Sequence, residues 1–363
     1  MNNEIVVVTG GLGPTKDDIT KAALAELSHS TGYVCNEEQK QIVRDILHSR
    51  GLDVLDINLQ QAQVPDTCEV IPNRKGTSPI MVFRFSSERY GHEAVLYSLP
   101  GVPFEAVGAL PDVISDIKSH FNISDIYHKT IMTYGIAESA LAKKIADWED
   151  ALPEDIHLAY LPNQFTGVRL RLSIYGGERQ QEEQRIAQQI DLLRPIISEY
   201  IYAECDTNLE TVIGSLLKGT GKTLSAAESC TGGMIAHLIT TVPGSSDYFL
   251  GSVTSYAVRI KHDVLGVDTG IIDRNGIVSS AVAAAMAERV RKLTGSTYAV
   301  ATTGWADSYG DEKEPAGTVW VAVTGPEGTE TARFNYKNDR KRNIERFAAS
   351  ALNELRKYIV KSL

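Results

Sequence analysis

The sequence predicts a multidomain α/β protein, and three observations carry that expectation. Its 363 residues exceed one ordinary domain and fit two or three. A short β-rich run, a glycine-rich turn and a helical pattern follow one another over residues 4–27, and the succession returns over residues 222–240. Between them, residues 168–175 (VRLRLSIY) alternate apolar and polar side chains with the period of a half-buried strand. The hydrophobic fraction of 43% and charged fraction of 23% are those of a globular protein. The net charge of −10 argues against a general nucleic-acid binder, which needs a basic face to neutralise phosphates. A small phosphorylated ligand needs only a local basic pocket. Cys35, Cys68, Cys205 and Cys230 are scattered without a C-x-x-C pair, so neither a disulfide framework nor a zinc site is signalled. No apolar run approaches the roughly 18 residues that span a bilayer, and the polar start at residues 1–4 is no signal peptide. The expected location is cytoplasmic.

Taken in order, residues 4–9 (EIVVVT) form the first strand, followed by Gly10-Gly11-Leu12-Gly13-Pro14-Thr15. Asp17 and Asp18 precede a helical pattern with apolar positions at Ile19, Ala22, Ala23 and Leu27. Such a turn aims backbone N–H groups and a helix N-terminus at an anion, and the dipole favours carboxylates there. Two readings fit: a phosphate cradle in which Asp17 or Asp18 holds a metal or a ligand hydroxyl, or a tight turn with an Asp cap. Residues 78–85 and 93–98 read as paired strands, leading into the rigid loop from Leu99 to Glu105 (LPGVPFE) and another helix. The loop Asn73-Arg74-Lys75-Gly76-Thr77 offers two cations to a phosphate or is a solvated turn.

From about residue 127 the pattern changes. A segment opening at residues 130–134 leads into a helix over 139–148, and strands over 156–161 and 168–175 and a polar helix over 178–194 complete a small α+β module. It carries no convergent acid, base or metal set and reads as a spacer or an interface. Changes of pattern put its limits near residues 124 and 206.

The last segment carries the strongest chemistry. A strand over 222–226 runs into Ala227-Glu228-Ser229-Cys230-Thr231-Gly232-Gly233 and the helix Met234–Thr240. A strand over 248–256, a helix over 280–293, strands over 298–303 and 317–323, and a final helix over 340–359 complete an α/β layer. A serine nucleophile needs a proton acceptor, and His237 and His262 are the only histidines of this segment. A lysine whose pKa is lowered by burial is the alternative. Spacing alone does not single out Ser246, Tyr256 and Lys261 from other Ser/Tyr/Lys sets.

In its motifs the chain resembles the CinA (competence/damage-inducible) family. Residues 1–124 resemble its molybdopterin-binding-like domain through TGGLGPTKDD at 9–18, NRKGTSP at 73–79 and LPGVPFE at 99–105. Residues 125–206 resemble its KH-like module through YGIAESALAKKI at 134–145 and LAYLPNQ at 158–164. Residues 207–363 resemble its nicotinamide-nucleotide amidase domain through AESCTGG at 227–233, VPGSSDYFLGSV at 242–253, Tyr256 with Lys261, and EPAGTVW at 314–320. The resemblance implies hydrolysis of nicotinamide mononucleotide to nicotinate mononucleotide and ammonia, a step of pyridine nucleotide salvage, in a homodimer and without a cofactor. It makes Ser246 the nucleophile and Tyr256 with Lys261 the proton-transfer pair. It gives Ser229, Thr231, Gly232, Gly233, Gly304 and Arg340 to substrate binding, with Arg340 a phosphate ligand. For the first domain it implies a divalent-metal ADP-ribose pyrophosphatase. There Gly10, Gly11, Gly13 and Thr15 cradle phosphate, and Asp17 and Asp18 serve the metal or the attacking water.

Several positions depart from the family pattern. Family members usually begin earlier, with a further βαβ stretch, so the first domain is expected to be incomplete. The usual Gly-Ile-Ala-Gly-Pro reads Gly304-Trp305-Ala306-Asp307-Ser308, an expected Asn is Val258, and Gly-Asp-Arg reads Asn338-Asp339-Arg340. Two alternatives therefore stand beside the amidase: a nucleotide-binding protein whose amidase site has lost turnover, and a pyrophosphatase or pterin-binding protein acting through the first domain.

Overall fold

The structure is a computed structural model. It describes every residue except 1, 2, 14, 16, 124, 164, 165, 308, 309 and 311–313, together with the side chains of 89 and 90. Pro14, Lys16, Gln164 and Ser308, which belong to motifs quoted above, lie outside the described residues. The chain forms two compact units, Met1–Ile123 and Ser124–Leu363.

In the first unit, β1 (Ile5–Thr9) leads through the glycine turn to α1 (Thr20–Leu27). Then come β2 (Tyr33–Cys35), α2 (Glu37–Ser49), α3 (Asp56–Leu59), β3 (Gln63–Pro65) and β4 (Glu69–Ile71). The unit ends with β5 (Ile80–Phe85), α4 (Ser87–Tyr90), β6 (Ala94–Leu99) and α5 (Pro103–His120). The sheet order is β1-β6-β5-β4, with β1 parallel to β6 and the other pairs antiparallel. Both central strands are buried on both faces, so they read as apolar runs rather than alternating ones. Val82, Val95 and Tyr97 face α5, while Met81, Phe83 and Leu96 face the core that holds Leu24 of α1. Asn36 starts α2 as an N-cap, its side chain accepting from the Gln39 N–H at 2.8 Å.

The second unit begins with β7 (Ile126–Thr133), α6 (Glu138–Asp150), β8 (His157–Asn163), β9 (Gly167–Tyr175), α7 (Arg179–Ile197) and β10 (Ile201–Ala203). These form an antiparallel sheet of order β10-β7-β9-β8, on which α6 and α7 bury Leu141, Ile145, Trp148, Ile186 and Ile190. The chain continues through α8 (Leu209–Leu217), β11 (Leu224–Glu228), α9 (Met234–Thr240), β12 (Phe249–Thr254), α10 (Val258–Asp263) and α11 (Thr269–Asn275). It closes with α12 (Ser280–Thr294), β13 (Tyr298–Gly304), β14 (Thr318–Gly325), β15 (Gly328–Asn335) and α13 (Arg340–Lys361).

The second sheet has the order β12-β11-β13-β14-β15, parallel over β12, β11 and β13 and antiparallel beyond. One face carries small residues, Ala227, Ala299, Ala301 and Ala322, and α12 packs into the space they leave through Val282, Met286 and Val290. The other face, with Leu224, Ala226, Val300 and Val321, packs on α8, α9 and α13 through Ile213, Ile235, Phe347 and Leu355. That core also takes in Met132, Tyr134 and Tyr202. The Tyr134 hydroxyl lies 3.2 Å from Ser350 Oγ, and Tyr336 reaches the same oxygen at 2.7 Å. The pattern change near residue 206 therefore falls inside one compact unit, because apolar and hydroxyl contacts join its two sides.

Candidate active site

The carboxyl ends of β11, β12 and β13 meet at one edge of the second sheet. The chain leaves central β11 for β12 on one side and later returns to β13 on the other, and such a reversal of strand order opens a crevice. Ser229 directly follows β11, Ser255 and Tyr256 follow β12, and Gly304 ends β13.

Glu228 fixes the turn that presents Ser229. Its side chain is fully buried and accepts from the N–H groups of Gly233 at 3.0 Å, Ile235 at 3.0 Å and Ala236 at 2.9 Å. The first-turn donors of α9 are thus satisfied by the protein's own carboxylate. These donors are then not available to a substrate, contrary to the binding role that the resemblance gives Gly233. Thr231 is likewise turned inward, its Oγ1 2.8 Å from Thr302 Oγ1, while Gly232 and Gly233 shape the turn. None of these three lines the crevice; Ser229 does.

Lys261, on the short helix α10, is wholly buried. Its Nζ donates to Ser229 Oγ at 2.8 Å and to the Ser255 carbonyl at 2.6 Å. Burial disfavours the ammonium and pulls the pKa from 10.5 down to about 8. A useful fraction of the side chain is then the free amine near neutrality, able to take a proton from the serine it touches. The neighbouring Cys230 does not compete as a nucleophile. Burial pushes its thiol up to about 12, and the thiolate is the reactive form.

Around Ser229 lies a cavity of about 190 Å³, walled by Tyr256, Val278, Gly304, Trp305, Asp307 and Arg340 among others. Gly304 is required by space: a Cβ there would lie 2.5 Å from the Thr318 carbonyl oxygen and 3.1 Å from Cys230 Sγ. Arg340, the first residue of α13, bonds Asp307 at 3.1 Å and the Tyr256 hydroxyl at 2.8 Å.

Two expectations change here. Tyr256 and Lys261 do not pair: the tyrosine hydroxyl meets Arg340, and the lysine meets Ser229. Ser246 is exposed in the turn before β12, whereas Tyr256 follows that strand. Six residues at about 3.3 Å each put the two ends of β12 on opposite edges of the sheet. Leu224 pairs with Phe249 and Glu228 with Thr254, so Ser229 shares its edge with Tyr256. The structure therefore brings Ser229, Tyr256, Lys261, Gly304 and Arg340 together and leaves Ser246 apart.

In the first unit, the glycine turn is also well fixed. Gly10 N–H donates to the Leu99 carbonyl at 3.0 Å, and Gly11 accepts from the Thr20 N–H at 3.2 Å. Gly10 and Gly101 approach so closely that a Cβ on Gly101 would come within 3.0 Å of Gly10 Cα. The Asp pair is not a helix cap: α1 starts at Thr20, its N-cap position is Ile19, and no side chain caps it. Asp18 instead accepts from Thr15 N at 3.1 Å and Thr15 Oγ1 at 2.6 Å across the turn past Gly13, and these bonds lower its pKa. Asp17 is exposed. No group of three or more His, Cys, Asp or Glu side chains able to hold a metal occurs among the described residues. Nor is any helix there long and apolar enough to cross a membrane.

Residues 206–359 match the family described as CinA C-terminal domain, residues 128–203 the Damage-inducible protein CinA KH domain, and residues 1–119 the Probable molybdopterin binding domain. A CinA-like protein of Cytophaga hutchinsonii is 40% identical over 359 residues, spanning 98% of this chain and 84% of the relative. One from Flavobacterium psychrophilum is 41% identical over 366 residues, spanning 99% and 85%. The chain belongs to the CinA family. Among solved structures, the competence damage-inducible protein A of Klebsiella pneumoniae is 29% identical, with a match covering 42% of this chain and 95% of that one at a TM-score of 0.41.

For this CinA-family chain, motif position missed Ser229 as the partner of Lys261, and with it the supporting Glu228 and the Asp307 on Arg340. One signal was available. In open α/β sheets ligands sit outside the carboxyl ends of strands, and Ser229 follows a strand where Ser246 precedes one.

Proposed function

We propose that the Ser229 cavity hydrolyses a carboxamide, with nicotinamide mononucleotide as substrate and nicotinate mononucleotide and ammonia as products. One observation carries this reading: a fully buried lysine with a lowered pKa donates to the hydroxyl of a serine that faces a cavity. As the free amine, Lys261 takes the proton of Ser229 while Oγ adds to the amide carbon. The carbonyl becomes a tetrahedral oxyanion. The N–H group of Cys230, a residue that lines the cavity, makes no hydrogen bond among the described residues and directly follows the nucleophile in the turn, which suits it to hold that charge. The carbon–nitrogen bond then breaks, and the Lys261 ammonium returns its proton to the leaving nitrogen, which departs as ammonia. Water, deprotonated by the same amine, cleaves the Ser229 ester and releases the carboxylate. Arg340 is the cation that the described lining offers to the far end of the substrate.

The test is ammonia release from nicotinamide mononucleotide by the purified chain. Ser229→Ala should lower kcat by about a thousandfold or more, and Ser246→Ala should stay within about twofold of the parent. Full activity of Ser229→Ala would sink the assignment.

A further inference from the structure

We propose that Asp307 is a specificity-determining residue at the outer end of the cavity, and that its pairing with Arg340 removes the advantage a phosphate would otherwise give the substrate. The site then takes the unphosphorylated nucleoside carboxamide as readily as its 5′-phosphate. This inference rests on the amide-hydrolysis reading of the same cavity.

The argument begins with charge. Among the described lining residues, Arg340 is the single cation and Asp307 the single carboxylate. Asp307 Oδ2 lies 3.1 Å from Arg340 NH1, and the Tyr256 hydroxyl accepts from NH2 at 2.8 Å. These two contacts hold the guanidinium in place and raise its pKa, Asp307 contributing most. Arg342, the next arginine on α13, pairs with Asp339 at 3.4 Å and does not line the cavity. A phosphate reaching Arg340 must therefore displace Asp307 or lie beside it. Either way a dianion meets a carboxylate, and like charges at that range oppose binding. A ribose hydroxyl meets no such penalty and can donate to Asp307. The pair is half-exposed, with side-chain accessibilities of 45% and 33%, so solvent screens the effect and keeps it modest.

Affinity measured by titration calorimetry on the Ser229→Ala chain, which does not need turnover, decides the matter. The probes are nicotinamide mononucleotide and nicotinamide riboside. With Asp307 present, the two should bind comparably. Asp307→Asn, which keeps the shape, should tighten the phosphate by roughly three- to tenfold and leave the riboside unchanged or weaker. Asp307→Glu should retain the parent ratio, and raised salt should shrink the difference between Asn and Asp. An unchanged ratio in Asp307→Asn, a parent that strongly prefers the phosphate, or binding of neither probe overturns the inference. Binding with the expected ratios but no ammonia from the parent chain would overturn the catalytic reading alone.

Discussion

The chain contains the same local device twice, and only one copy sets a hydroxyl against a buried lysine. Both the segment after β1 and the segment after β11 run from strand through glycine-containing turn to helix with a carboxylate close by. After β11 the carboxylate is Glu228, wholly buried and accepting from three backbone N–H groups, so the turn is rigid and Ser229 is held against a buried lysine. After β1 it is Asp18, partly exposed and bonded to Thr15 of its own turn. The difference lies in burial and convergence rather than in motif. A desolvated lysine beside a fixed hydroxyl is reactive because the protein has removed the water that would keep the lysine charged.

The largest effect that sharpens this contrast comes from Lys261. Lys261→Met should lower kcat by roughly 10²–10⁴, the usual contribution of a positioned general base. For the parent chain, kcat/KM should rise with pH and level off above about 8, since the free amine is the active form. Stability should also rise with pH, over a higher range. A lysine at about 8 when folded and 10.5 when unfolded makes the unfolded state bind more protons between those values. Its cost is thus full below pH 8 and disappears as pH rises toward 10.5. The shift corresponds to about 3 kcal/mol before the lost hydrogen bonds are subtracted. Lys261→Met should melt higher than the parent at pH 7, with the gap closing near pH 10. A mutant that melts lower at pH 7 would show that Lys261 is a structural cation.

How much of this was legible follows from the same physics. The long periodic elements were readable: the alternation of residues 168–175 is β9, and the helix expected over 280–293 is α12. β15 is not legible in the sequence, because it is an edge strand whose residues, GTETARFN, are mostly polar. The short helix α10 begins with Val258 and Ile260, residues that read equally as strand. The site was half legible. The motifs mark Lys261, Tyr256, Arg340, Gly304 and Ser229, but the resemblance gives the nucleophile's role to Ser246 and substrate binding to Ser229. Ser246 lies ten residues before Tyr256 in sequence and a full strand away in space; Ser229 lies much farther along the chain and across one strand pairing. Register in a parallel sheet is a long-range fact that local pattern does not contain.

A smaller effect is expected at Glu228. Glu228→Gln keeps the volume but sets an amide donor among three N–H donors, leaving buried groups unpaired at a cost of about 2–3 kcal/mol. The displaced turn should move Ser229 relative to Lys261, so kcat should fall more than KM changes. Denaturant unfolding and steady-state ammonia release check the two halves. A change in KM alone would mean that Glu228 contacts substrate rather than holding the turn.

The smallest effect belongs to the other copy of the device. Asp18→Asn removes a carboxylate whose partners, Thr15 N and Oγ1, sit in the same exposed turn, so water can take over what is lost. The carboxyl pKa is lowered in the folded state by these bonds, so whatever stability they add is present above the ordinary value of 3.8 and fades as pH falls through the lowered one. At pH 7 the melting temperature should be indistinguishable from the parent, and any small difference should vanish in acid. If Asp18→Asn unfolds more easily than Glu228→Gln at pH 7, burial is not what separates the two turns. The carboxylate of the first turn would then carry as much of its fold as Glu228 carries of the second.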